Sequence, residues 1–169
     1  MLFRSWSHGV ADYLKKEIRS YQESEGFLES LLPHEITHLI FRDYVGFRGE
    51  VPLWLDEGVA QWEEPEKRKS VRWMMKAILQ QKKEFPMKQF TEMDIRQTQD
   101  EAKVTLFYIQ AASLVEFLVQ KHGADNFSQF CRQLRDGKRL DGALQFTYPT
   151  TMRDLEAMAK NWKEYVLEE

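Results

Sequence analysis

The chain has 169 residues, with 27 acidic against 24 basic side chains, four histidines and one cysteine. Its 43% hydrophobic and 13% aromatic content can fill the core of one domain and excludes a disordered chain. A net charge of −3 argues against nucleic acid as the main partner, and the lone Cys131 excludes an internal disulfide.

At the N-terminus, MLFRSWSHGVADYLKK has no continuous apolar region of the kind a signal peptide needs. No run of 18 apolar residues occurs, so no transmembrane helix is expected. The compartment is left undetermined, and a trimmed exported precursor stays open. His8 reads as a loop residue. The segment EIRSYQ, 17–22, is the strand candidate. Helical periodicity follows over about 27–42 with Pro33 inside it. Proline is comfortable in a first helical turn and disruptive later. The helix therefore begins near residue 32, or a preceding turn kinks into it.

The glycines of DYVGFRGE break that helix, and Pro52 opens the next through LWLDEGVAQWEE. Pro65 ends it and starts EKRKSVRWMMKAILQQKK. There Met74, Met75, Ile78 and Leu79 form a core stripe, and KRK at 67–69 reads as a solvated helix face. EFPMKQFTEMDIRQTQD reads as irregular. A long helix is expected over 101–121, closed by Gly123, with Lys121 and His122 facing the negative end of its dipole. Further helices are expected at 125–136, at 140–146, and from after Thr150 to about Val166. Cys131 lies at helical spacing with Phe127 and Leu134, as a buried thiol would. The chain shows no repeats, no low-complexity linker and no second domain.

The chemistry concentrates in LLPHEITHLIF, 31–41. His34 and His38 are four apart, so on a helix they share one face, one turn apart. That spacing lets two imidazole nitrogens reach one ion about 2 Å away. Glu35, on the flank of that face, could hold a metal-bound water without ligating the metal. A zinc site needs a third protein ligand and an open position. Glu57 supplies a candidate, on a separate helix 19 positions beyond His38. It sits among Leu53, Trp54, Val59 and Ala60, where an unpaired charge would be costly.

HEITH, eighteen intervening residues and then the glutamate of WLDEGVA resemble the gluzincin metallopeptidases, a clan that includes the thermolysin-like enzymes and the membrane-alanyl aminopeptidase family. LLPHEITHLIF and PLWLDEGVAQWEE look most like the smaller peptidase MA-like domains, with their pattern LPHExxH followed by PxWLxEGxA. The motifs cover residues 31–64, and a looser likeness extends to the C-terminal helices. The resemblance implies a mainly α, gluzincin-type catalytic domain with at most a small β edge element near the N-terminus. It divides the chain into a partial substrate-side lobe at 1–30, zinc-binding helices at 31–64 and a helical subdomain at 65–169. It further implies one zinc ion per chain on His34, His38 and Glu57, with Glu35 as general base for hydrolysis of a peptide or protein substrate. Tyr108, in LFYIQAASLVEFL, stands where such enzymes carry a tyrosine that donates to the oxyanion; Tyr44 and Tyr148 are weaker candidates.

The departures matter equally. Residues 1–33 carry no G-x-M-E-N segment, so amine-anchored aminopeptidase action is unsupported and endopeptidase action is preferred. EIRSYQ is the one segment that could pair with substrate backbone. Gln61 stands where thermolysin-like enzymes have an aspartate supporting a histidine, and a supporting role for Asp56 or Gln61 is left open. Two alternatives stay open: a catalytically silent zinc-bearing module that binds peptide or protein, and a metal-free helical interaction domain. Substrate specificity and oligomeric state are beyond the sequence.

Overall fold

The computed structural model describes residues 9–12, 15–20, 27–47 and 51–168. The fold is mainly α. Its described sheet is a two-stranded antiparallel hairpin of β1 (Gly9–Asp12) and β2 (Glu17–Ser20), in register Gly9↔Ser20 to Asp12↔Glu17. The strand expected over 17–22 is present as β2. Its partner GVAD is too short to show a period of its own in the sequence. The hairpin packs through β1 on the first helix. His8 and the residues flanking the hairpin lie outside the described residues.

Both sequence-based entries into the first helix are realised. A wide π-helical turn, Phe27–Leu31, leads directly into α1 (Leu32–Val45), and Pro33 falls in the first turn of α1. There the missing N–H costs no helical hydrogen bond. α1 ends at Gly46, whose φ of 81° is a left-handed cap that glycine adopts without strain. Pro52 caps α2 (Leu53–Glu63), and Pro65 opens α3 (Pro65–Gln80).

One expectation is corrected. The stretch read as irregular holds a short helix, α4 (Met87–Glu92), and a 3₁₀ turn, Ile95–Gln97. Met87 and Phe90 are buried, so tertiary packing holds a helix of only six residues that has little stability alone. The last helix, expected from after Thr150, is α8 (Leu155–Leu167), and the Asp154 side chain accepts from the Ala157 N–H to cap it. The other helices match: α5 (Glu101–His122), α6 (Ala124–Arg135) and α7 (Leu140–Thr147).

α5 is the axis of the core. Phe107, Ala111, Leu114, Val115 and Leu118 are all fully buried. By length and composition α5 could cross a membrane, although no such helix was expected. Its apolar residues are spent on packing against α2, α3, α6 and α8 instead. Cross-ties hold the layers. Trp162 Nε1 donates to Ser113 Oγ at 3.1 Å. Gln110, fully buried, clamps the backbone N–H and carbonyl of Phe85. Arg72 donates to the Tyr165 carbonyl and stacks over the Tyr165 ring. Cys131 is fully buried, and burial pushes its thiol up to about 12, so it is an inert core thiol. Of the stripe expected on α3, Met75 and Leu79 are buried and Ile78 packs partly buried against the core, while Met74 is half-buried at its margin.

One contact decides how the site is held. α2 crosses α5 at Gly58, where a Cβ would stand 2.7 Å from the Ala111 carbonyl oxygen and 2.8 Å from Val115 Cγ2. Only glycine allows this backbone approach. Glu57, the residue before it, is carried on the same turn.

Candidate metal centre

α1 presents His34, His38 and Arg42 on three successive turns, the four-residue spacing that puts side chains on one helix face. That face meets the acidic face of α2, which carries Asp56 and Glu57, and Glu64, the extended residue that links α2 to α3. The Nε2 atoms of His34 and His38 are 3.2 Å apart. Glu57 Oε2 lies 3.6 Å from the first and 3.9 Å from the second. Three ligand atoms, one from each residue, lie within 4.8 Å of one another, so His34, His38 and Glu57 could hold a metal ion. The edge of a tetrahedron with bonds of about 2 Å is about 3.3 Å, so these separations fit ligands on one small cation.

The far sides of both rings are backed by carboxylates. His34 Nδ1 lies 2.9 Å from Glu64 Oε1, in a hydrogen bond in which the ring N–H donates. His38 Nδ1 lies 3.2 Å from Asp56 Oδ1, close enough to pair charges although the ring N–H is not aimed along the contact. A proton held at Nδ1 leaves the Nε2 lone pair for a cation, which is how outer partners orient metal-binding histidines. Each carboxylate has its own cation. Lys67 Nζ lies 2.7 Å from Glu64 Oε1, and Ser30 Oγ also donates to Glu64. Arg42 Nη2 donates to Asp56 Oδ2 at 2.9 Å. Lys67 therefore has a use that the solvated-face reading of KRK did not give it. Glu57 has no lysine or arginine partner among the described residues; its ion-pair contacts are the two histidines.

This charge distribution sets the protonation of the centre. Burial works against a charged His34, but the hydrogen bonds and charges of Glu57 and Glu64 outweigh it and lift the imidazole to about 9. Burial works against His38 in the same way, and Asp56 and Glu57 overcome it to raise the ring above its ordinary value. Burial likewise opposes the Glu64 carboxylate, but His34, Lys67 and Ser30 bring it down to about 2. Asp56 is held low against its burial by His38 and Arg42. Without a metal, the excess negative charge is thus balanced by a proton on His34. Below a pH of about 6.5 that proton stabilises the fold, and the contribution is lost as pH rises through about 9.

A divalent cation must displace the proton. Zinc titrated into metal-free protein at pH 7.5 is expected to release protons, and its apparent affinity to rise with pH up to about 9. Glu64→Gln removes one of the charges that lift His34, so proton release should fall. Calorimetry in two buffers of different ionisation enthalpy reads it, and equal release by both proteins would contradict this account of the charge.

The other residues singled out from the sequence are placed as follows. Glu35, next to His34 on α1, is 6% exposed. Tyr108 is half-buried on α5, edge-on to Phe107. It lies one turn before Ala111, the residue that Gly58 touches. Tyr44 is exposed. Tyr148 is buried in another cluster, against His122 and Phe130. His122 is the last residue of α5 and packs edge-on against Phe117, where burial keeps it below its ordinary value. Asp56 and Glu64, not Gln61, reach the imidazoles. Sequence reasoning missed Glu64, because it lies just past the end of α2 in extended backbone, where no helical spacing ties it to Glu57.

The family model described as the Peptidase MA superfamily matches residues 1–168. No curated protein and no solved structure matches the chain.

Proposed function

We propose that this chain, which belongs to the Peptidase MA superfamily, is a zinc-dependent metallopeptidase acting on internal peptide bonds of a peptide or protein substrate. His34, His38 and Glu57 are the protein ligands of one zinc ion, Glu35 is the general base, and Tyr108 is the oxyanion donor. The observation that carries this reading is the convergence of two imidazole Nε2 atoms on one Glu57 oxygen, with both Nδ1 atoms backed by carboxylates.

Zinc bound there would supply Lewis-acid polarisation and lower the pKa of a water. The chain does the rest. His34 and His38 bind through Nε2 and are kept in that tautomer by Glu64 and Asp56. Glu35, adjacent to a ligand and buried, accepts the proton of the attacking water and returns it to the leaving amine. Tyr108 stands on the turn of α5 next to its crossing with α2, which favours it as the hydroxyl donor to the developing oxyanion. The endopeptidase preference rests on the missing amine-binding glutamate segment in residues 1–33. We assign residues 1–30 to a substrate-side lobe whose hairpin pairs with substrate backbone. Residues 31–64 form the zinc-binding helices and 65–169 a helical subdomain of the same catalytic domain.

The small hairpin, four residues per strand, favours one second reading: a zinc-bearing module that binds peptide without cutting it. Stoichiometric zinc with no turnover of a broad peptide library would support it; cleavage that depends on Glu35 would remove it.

The first test is metal content by mass spectrometry on protein without a histidine tag. About one zinc per chain is expected. Glu57→Ala should weaken binding by more than the about 10–100-fold that a supporting residue contributes. No zinc in the wild type, even after incubation with zinc, would end the metallopeptidase reading.

A further inference from the structure

We infer that Arg42 is a positioning residue of the metal centre, holding His38 in place through Asp56; the inference rests on the metal-site reading above. Arg42 is one turn beyond His38 on α1. Its side chain is 15% exposed and that of Asp56 is 11% exposed. The Nη2 to Oδ2 contact of 2.9 Å spans α1 and α2, the two helices that carry all three candidate ligands. The other carboxylate oxygen, Oδ1, faces His38 Nδ1 at 3.2 Å. One planar carboxylate is therefore shared, with Arg42 on one oxygen and the histidine on the other.

The order of the chain matters. His34 is backed by Glu64 in an aligned hydrogen bond, and Glu64 is further held by Lys67 and Ser30. The His38–Asp56 contact is not aligned, so the direction of the Asp56 carboxylate decides how well it orients the ring. Arg42 is the group that fixes that direction, and a guanidinium does so through a rigid planar fork that lysine lacks. Buried charges need a partner to stay in place. Without Arg42, Asp56 would turn toward water or toward the metal, and the His38 ring would lose its support.

The test is a double-mutant cycle on zinc affinity, measured by competition with a chromogenic chelator, together with the visible spectrum of the cobalt-substituted protein. Wild-type zinc binding is the control for the metal-site reading; if it fails, that reading fails. If it holds, Arg42→Met should weaken zinc binding about tenfold, in the range seen for outer partners of metal ligands, and alter the cobalt bands. Arg42→Lys should recover part of the loss. Asp56→Asn removes the charge that Arg42 holds, so adding Arg42→Met to it should weaken zinc binding by less than twofold further. The melting temperature of each metal-free variant separates these effects from loss of fold. If a variant does not fold, the lysine variant and the Asp56→Asn background still decide. Zinc affinity and cobalt bands unchanged in Arg42→Met, or an equal loss in both backgrounds, would overturn the inference.

Discussion

Glu35→Gln is expected to lower peptide hydrolysis by about 10²–10⁴-fold while leaving zinc bound. Glutamine has nearly the shape of glutamate and keeps a carbonyl oxygen that can accept a hydrogen bond from water. It cannot take up the water's proton and return it to the leaving amine. Because Glu35 is adjacent to His34 but not among the convergent ligand atoms, its replacement should spare the metal. Hydrolysis of a broad peptide library and zinc content measured on the same sample separate the two effects. Full activity with zinc still bound would show that the general base is another group. Loss of zinc together with activity would instead make Glu35 a structural part of the centre.

Gly58→Ala should destabilise the protein by about 1–3 kcal/mol, the cost of forcing an extra methyl into a close-packed contact. Alanine is the better helix former by about 1 kcal/mol, so an exposed site would gain. Here the new methyl would stand 2.7 Å from a backbone carbonyl of α5. Backbone cannot turn aside as a flexible side chain does. α2 would have to move away from α5, carrying Glu57 with it. At about 2–4 °C per kcal/mol for a chain of this size, the melting temperature should fall by several degrees, and zinc affinity should fall with it. Circular dichroism melts and zinc titration check this. A variant more stable than wild type would mean that the crossing is looser than described.

Much of the fold and the candidate centre was legible in the sequence because those signals are local. The proline and glycine positions around α1, α2 and α3 mark helix ends through their own φ preferences and missing donors. The four-residue spacing of His34 and His38 places them on one face whatever surrounds them. The mainly α class follows from the periodicity of the long segments. Where the reading failed, the deciding contact was remote. Met87 and Phe90 form a helix because a core accepts them. Tyr148 leaves the list of candidate donors because it is buried against His122.

By itself, the sequence determined which side chains can bind a metal and which helices carry them, because residue type and helical period act over a few residues. Only the tertiary structure decided that Glu57 meets both histidines, that Glu64 and Asp56 back the rings, and that Lys67 and Arg42 hold those carboxylates. Those pairings depend on the angle and depth at which α1 and α2 meet, and α2 is seated by one glycine against the carbonyl of Ala111, 53 residues further along the chain. No local pattern encodes such a distance, since it results from packing the whole core.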